Sequence, residues 1–328
     1  MSVNRKIVTK NAYRITKTRG KTALRIRVPG GYLEAKYFSL IQSIAEEYGD
    51  GTVHITTRQG FEIPFIDFDK IPEINKKIRP LIESLGLDVI VTDEGYPAAG
   101  TRNISACIGD KVCPYANDNT TRIAKRIEKT CYPHDFHFKV AVTGCPNDCI
   151  KAHMQDFGII CTTEPQYDVS RCISCEACVK NCKKKVTGAL SMKGFSVERD
   201  KEKCIGCGEC VLQCPTGAWT RSDTPYYRMV IMGRTGKKNP RIAMPFMKWA
   251  SEDVVVQVIK NTYDFVDRYI DRSLAKEHIG YIVDRVGYQK FKEEVLAGVN
   301  LNKEIQIAQN IQWNGYYYKA DDQFKTME

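Results

Sequence analysis

Apolar and polar residues alternate with a period of two through TALRIRV, residues 22 to 28, the pattern of a β-strand that buries one face. The next segment, EAKYFSLIQSIAEEYG (34–49), changes period and brings Phe38, Ile41, Ile44 and Ala45 onto one face of a helix. VHITT (53–57) and FEIPFI (61–66) read as strands either side of a turn at Gln59 and Gly60. KIPEINKKIRPLIESLG (70–86) reads as a helix interrupted by proline, and LDVIV (87–91) as a closing strand. The order βαββαβ is the split βαβ arrangement of a ferredoxin-like sandwich. Further on, FHFKVAV (136–142) has strand character. SEDVVVQVIKNTYDFVDRYIDRS (251–273) begins with a capping serine and two acids and places Val255, Ile259, Tyr263, Val266 and Ile270 along one helical face. YIVDRVGYQKFKEEVLAG (281–298) predicts a further helix, and both terminal helices are expected to dock on their own domain.

The chain has 328 residues, 43% of them hydrophobic, enough for a sizeable core and for more than one domain. No apolar run approaches the length of a membrane span, and the basic N-terminus has no apolar segment behind it, so a cytoplasmic location is expected. The formal charge of +10 invites a nucleic-acid partner. That count treats every thiol as neutral, however, and cluster-bound thiolates or a polycarboxylate cofactor would absorb part of the excess, so no nucleic-acid partner is expected.

The fourteen cysteines change the picture most. In a chain of cytosolic character they argue for metal rather than disulfides. Cys172, Cys175, Cys178 and Cys182, then Cys204, Cys207, Cys210 and Cys214, form two copies of C-x2-C-x2-C-x3-C, the second followed by Pro215 and the first by Lys183. This spacing converges three thiolates of one loop on a cubane and takes the fourth from the other repeat. It predicts one 4Fe-4S cluster on Cys172, Cys175, Cys178 and Cys214, and another on Cys204, Cys207, Cys210 and Cys182. Gly206 and Gly208 let backbone amides approach the sulfurs. Zinc is the competing ligand, but zinc sites rarely repeat this four-cysteine pattern. Cys131 and Cys161 stand outside every motif and read as buried thiols.

Four more cysteines are spaced differently. TRNISACIGDKVCP separates Cys107 from Cys113 by five residues, and TGCPNDC separates Cys145 from Cys149 by three, with Pro146 fixing φ and Asn147 and Asp148 favouring a turn and a capped helix near Ile150. With HITTRQG (54–60) before them and GRTGKKNPRIA (233–243) after, these segments resemble the sirohaem-containing sulfite and nitrite reductases, and the match covers most of the chain. The resemblance implies an α+β fold: a ferredoxin-like half-domain (1–95), a sirohaem and 4Fe-4S domain in two parts (96–165 and 221–328), and an inserted two-cluster ferredoxin domain (166–220). It implies that Cys107, Cys113 and Cys145 hold a third cubane and that Cys149 shares its sulfur with the sirohaem iron. Arg58, Arg102 and Lys139 match the family's substrate-facing cations. His137 departs from a lysine there but can still donate protons. Thr57, Gln59, Asn103, Arg234, Lys237 and Lys238 are implied as sirohaem contacts.

The activity so implied is the six-electron reduction of sulfite, with electrons relayed through the ferredoxin clusters. Reduction of nitrite, or a polyferredoxin carrier role without catalysis, are the rivals. Without the cysteine signature, Arg58 would read as a solvated turn residue, His137 as a satisfied sheet histidine and the 233–243 loop as a surface charge run. Single-chain members of the family carry two copies of the half-domain and sirohaem unit, whereas this chain has one. It is therefore expected to form a homodimer or to pair with a related subunit. It is also expected to need flavin- and iron–sulfur-containing electron-input subunits, because no G-x-G-x-x-G dinucleotide fingerprint occurs.

Overall fold

The computed structural model describes residues 11–87, 89–92, 95–97, 102–134, 136–236, 240–274 and 277–311. Lys237 and Lys238 lie outside the described residues.

The first unit comprises β1 (Tyr13–Ile15), β2 (Lys21–Ile26), α1 (Tyr37–Tyr48), β3 (His54–Ile55), β4 (Phe61–Asp67) and α2 (Ile71–Ser84). Its antiparallel sheet runs β1-β2-β4-β3. The alternation in β2 buries Leu24 and Ile26, and the helical periods deliver Ile41, Ile44, Ile74 and Ile78 to the same core. Each such side chain contributes roughly 1.5–3 kcal/mol of burial. Two expectations fail here. LDVIV forms no strand among its described residues, because the edge of β2 that it would take is occupied by β1, with Tyr13 opposite Leu24 and Ile15 opposite Thr22. Among the described residues the returning chain makes two isolated bridges, Pro97 to Asn11 and, within itself, Thr92 to Gly95. And α2 runs through Pro80 without a break. Phe38 is half exposed and meets Phe61 edge-on, so it sits at the rim of the apolar face.

The second unit begins with β5 (Ser105–Ala106), α3 (Thr120–Cys131), β6 (Val140–Thr143) and β7 (Phe157–Thr162). The carbonyl of the Asn119 side chain accepts from the Arg122 N–H at 2.9 Å and so starts α3. A small unit follows: β8 (Gln166–Tyr167), α4 (Ala177–Lys185), the hairpin β9 (Leu190–Lys193) and β10 (Ser196–Arg199), α5 (Glu209–Gln213) and β11 (Trp219–Thr220), which pairs with β8. The larger sheet resumes with β12 (Tyr226–Ile231) and β13 (Met244–Ala250), then α6 (Glu252–Tyr269), α7 (Ile279–Val286), α8 (Tyr288–Leu296) and β14 (Gln306–Ile307). β5, β6 and β7 are parallel, and β12, β13 and β14 continue antiparallel in the order β14-β13-β12-β7-β6-β5. Because Thr162 of β7 faces Tyr226 of β12, the intervening residues leave and rejoin the sheet side by side, the topology of an insertion.

α6 is capped by Ser251, whose Oγ accepts from the Val254 N–H, and it buries Val255, Ile259, Tyr263 and Val266 as the sequence predicts. The segment expected to form one further helix is two, broken at Gly287, whose φ of 102° ends α7. The FHFKVAV strand is shorter than expected, so His137 and Lys139 lie on its lead-in. The two units are joined by a buried ion pair. Arg27, just after β2, donates from Nε to Glu128 on α3 at 2.9 Å and stacks 4.0 Å over the Tyr132 ring. No described helix is long and apolar enough to cross a membrane.

Candidate anion cleft and thiol clusters

Arg58, Arg102, His137, Lys139, Thr57 and Asn103 all line one cleft of about 350 Å³ between the two units. The turn that presents Arg58 is locked by its own sequence. Thr56 N–H donates to the Gly60 carbonyl at 2.8 Å, and the Gly60 and Arg58 N–H groups donate to Thr56 Oγ1 at 3.1 and 3.3 Å. A Cβ on Gly60 would fall 2.6 Å from the Ile26 carbonyl, so the turn closes on β2 only with glycine. Asn103 stitches the seam: its Nδ2 donates to the carbonyls of Val28 and Arg58 at 2.9 and 2.7 Å, and its Oδ1 accepts from Val28 N–H at 3.1 Å. Its neighbour Arg102 donates its backbone N–H to the Phe138 carbonyl at 2.9 Å, which sets it beside His137 and Lys139.

The cleft is strongly cationic. Arg14 and Arg25 share Glu62 at 2.8 and 3.1 Å, and Arg27 is paired with Glu128. Arg102 has no carboxylate partner among the described residues. Burial, then the charges of Arg25, Arg58, Arg14 and Arg27, push it down to about 10. Burial likewise lowers Arg58, and the charge of Asp156 opposes that shift. Arg58 Nη2 donates to Gln155 Oε1 at 2.5 Å, while its buried Nη1 has no partner among the described residues. Guanidinium groups held this way are preset for a small oxyanion, which would relieve their mutual repulsion.

Gln59, in a left-handed conformation with φ 62°, uses both ends of its amide on Ala106. Its Nε2 donates to the Ala106 carbonyl at 2.7 Å and its Oε1 accepts from the Ala106 N–H at 2.8 Å. Ala106 precedes Cys107, so the arginine turn is tied directly to a cysteine. Cys107, Cys113, Cys145 and Cys149 are brought together: burial first pushes the Cys145 thiol up, and Cys113, Cys149 and Cys107 push it the same way. The Gly144 N–H donates to Cys107 Sγ at 3.0 Å, and a Cβ on Gly144 would meet Ala116 Cβ at 2.9 Å and Cys107 Sγ at 3.4 Å. Four gathered thiols, an amide aimed at a sulfur and a glycine where a side chain would crowd them fit a 4Fe-4S cubane.

The capped helix expected near Ile150 is replaced by one 3-10 turn, Ala152–Met154. Asp148 and Lys151 both adopt positive φ, 50° and 62°, which an α-helix cannot accommodate. Asp148 still caps: Oδ1 accepts from Ala152 N–H at 2.6 Å, and Oδ2 accepts from the His153 N–H at 3.1 Å and lies 2.6 Å from His153 Nδ1. Burial raises its carboxyl, but these hydrogen bonds prevail and hold it below the usual carboxylate range. Cys149, beside it, is the exposed member of the four.

In the inserted unit the cysteines are crossed between repeats. One small cavity is lined by Cys172, Cys175, Cys178 and Cys214, and another by Cys182, Cys204, Cys207 and Cys210. Gly206 and Gly208 both have positive φ. A Cβ on Gly206 would lie 2.9 Å from Thr162, Thr163 and Trp249, so the Cys207 loop packs directly on the larger sheet.

Arg234 is buried, with its guanidinium 3.8 Å over the Tyr281 ring and 3.7 Å from Asp284. Its loop reaches the cleft through Gly236, where a Cβ would sit 3.3 Å from Lys139 Nζ. Cys131 and Cys161 are fully buried thiols raised by burial. Sequence reading missed Gln155, which holds Arg58, and Asn117, which donates to the Cys207 carbonyl at 3.4 Å; neither belongs to a spaced motif.

A ferredoxin-like half-domain closing an arginine-rich cleft onto a 4Fe-4S domain defines a class. Residues 14–81 match the nitrite/sulfite reductase ferredoxin-like half domain and residues 98–304 the nitrite and sulphite reductase 4Fe-4S domain, and the chain belongs to this oxidoreductase family. More particularly, it is 41% identical over 309 residues to the anaerobic sulfite reductase C-subunit of Salmonella typhimurium, covering 93% of this chain and 92% of that one. It is 29% identical over 279 residues to coenzyme F420-dependent sulfite reductase of Methanocaldococcus jannaschii, covering 84% of this chain and 42% of that one. Among solved structures, dissimilatory sulfite reductase I shares the fold, with a TM-score of 0.65 at 17% identity over 91% of this chain and 73% of that one.

Proposed function

We propose that the chain is the catalytic subunit of a sirohaem-dependent sulfite reductase: HSO3− + 6 e− + 6 H+ gives HS− + 3 H2O. The observation that carries this is the seam at Arg58, where one turn grips the cleft and is hydrogen-bonded on one side to Ala106, next to Cys107, and on the other to Gln155, just past the Cys149 turn. The anion site and the thiol set are thereby built as one unit. Cys107, Cys113, Cys145 and Cys149 would hold a cubane, with Cys149 as the thiolate shared with the sirohaem iron, and Arg234, with Lys237 and Lys238 of the same loop, would meet sirohaem carboxylates. That coupled centre supplies stored electrons where the substrate binds.

Within the chain, Arg58 and Arg102 bind and orient the oxyanion by charge-assisted hydrogen bonds and stabilise charge on departing oxygens. Lys139 and His137 line the same cleft and hold protons for the departing oxygens. The crossed cysteine sets of the insert would hold two more 4Fe-4S clusters, three in all, that carry electrons from flavin- and iron–sulfur-containing input subunits. A second copy of the chain or a related subunit would complete the assembly. Sulfite rather than nitrite is favoured by the 41% identity to a protein named for sulfite. Anaerobic purification of the loaded protein should give a reduced-porphyrin band and sulfite-dependent oxidation of a chemical donor faster than with nitrite. Absence of the band would leave only an electron carrier.

A further inference from the structure

His278 is fully buried and 122 residues away in sequence from its partner, the equally buried Asp156. Its Nδ1 lies 3.0 and 3.3 Å from the two Asp156 oxygens, so the carboxyl group holds that edge of the ring. The other ring nitrogen, Nε2, is buried with no hydrogen-bond partner among the described residues. Folded chains normally avoid such an orphan, and those that persist mark sites with another demand on them. The ring packs edge-on against His137, with centroids 4.7 Å apart and planes at 81°. His137 lines the cleft with Arg58, Arg102 and Lys139.

The backbone fixes this arrangement from both ends. His278 immediately precedes α7, and its carbonyl accepts from the Tyr281 and Ile282 N–H groups. Asp156 immediately precedes β7, and its carbonyl accepts from Met232 N–H at 2.7 Å. Among the described residues, other charged groups lie around the pair. Arg58 feels Asp156 from the cleft side, and Lys139 lies along the same lead-in as His137. The guanidinium groups of Arg234 and Arg241 sit 3.5 Å from where a Cβ on Gly280 would be, at the first turn of α7. Glu277 is engaged by Arg285 at 3.0 Å and by the Asp271 N–H at 2.7 Å.

We propose that His278, oriented by Asp156, is a positioning residue that fixes the ring of His137 and sets how readily it carries a proton into the anion cleft. The inference rests on the sulfite reductase reading. In each delivery the N–H bond of His137 breaks, an O–H bond forms on the departing oxygen of the substrate, and the electron pair stays on the imidazole nitrogen. Solvent in the cleft returns the proton, so the buried pair supplies none and serves only to hold and bias His137. The six electrons come from the reduced donor of the overall reaction.

The test uses the full, cofactor-loaded chain. The infrared C–O stretch of the reduced, carbonylated protein, followed from pH 6 to 9, reports protonation of the group facing the bound ligand without turnover. The wild type should show two interconverting bands with one midpoint, and His137→Gln should show one pH-independent band. His278→Gln should move the midpoint by at least half a pH unit and lower kcat for sulfite about 10- to 100-fold with KM changed less than about threefold. Asp156→Asn should shift both readouts in the same direction, and it carries the test if His278→Gln does not load. A wild type without a pH-dependent band, or variants that keep its midpoint and kcat, would overturn the inference while leaving sulfite reduction intact. A wild type lacking the porphyrin spectrum or sulfite turnover would instead overturn the reading beneath it.

Discussion

Consider replacing Arg27 by Met. Arg27 and Glu128 are 2% and 0% exposed, form the buried pair that joins the half-domain to α3, and are braced by the Tyr132 ring at 4.0 Å. Burial works against the charged guanidinium, and the neighbouring Glu128 carboxylate more than offsets it, holding Arg27 above its ordinary value. Removing one partner leaves the other charged and dry, a loss of about 3–5 kcal/mol, whereas removing both together is often close to neutral. With an unfolding entropy of about 2.1 cal/mol/K per residue, the single variants Arg27→Met and Glu128→Leu should each lower Tm by roughly 4–7 °C in a chain of 328 residues. The double variant should recover most of that. The adjoining Val28 backbone holds Asn103, which in turn holds the Arg58 turn, so each single variant should also raise KM for sulfite. Thermal unfolding followed by circular dichroism on anaerobic, loaded protein gives all three values. A loss under about 1 kcal/mol in either single variant, or a double variant that falls by the sum of the two, would refute the account of the pair as a mutually dependent seam.

Three other outcomes can be checked with the same material. Arg102, pushed down to about 10, must be protonated to hold an anion, so sulfite affinity in equilibrium titrations should weaken about tenfold per unit above that pH. Arg102→Gln should abolish the break and weaken binding about 10- to 150-fold at pH 8, the loss of one charge-assisted hydrogen bond. Gly60→Ala places a Cβ 2.6 Å from the Ile26 carbonyl, so it should lower Tm by a few degrees, with about 1–3 kcal/mol of overpacking, and raise KM for sulfite more than it lowers kcat. Cys207→Ser should slow turnover driven by the physiological donor while sirohaem stays bound and dithionite-driven turnover persists. Loss of the haem band in that variant would contradict an electron-input role for the insert.

What the sequence could show was whatever depends on near neighbours. Period-two and helical patterns predict β2, β4, α1, α2 and α6 because those faces are buried by the elements' own geometry. The crossed cysteine sets are expected because the two repeats carry matching loops, and the cavities are lined in that crossed order. LDVIV failed because β1, far away in the chain, takes the sheet edge, and the helix at Ile150 failed because Asp148 and Lys151 turn left-handed where TGCPNDC must fold back on itself. Nothing local distinguishes His278 or Asn117. Yet Asn117 donates its backbone N–H to the Gly144 carbonyl at 2.7 Å, donates from Nδ2 to the Cys161 and Cys207 carbonyls at 3.4 Å, and accepts from Arg221 Nε at 3.1 Å. One residue thus ties the loop of Cys113, the turn of Cys145 and the loop of Cys207, joining the insert to the thiols beside the arginine cleft. A side chain that joins three loops from distant parts of the chain carries no spacing to read, and its importance follows only from the fold that brings those loops together.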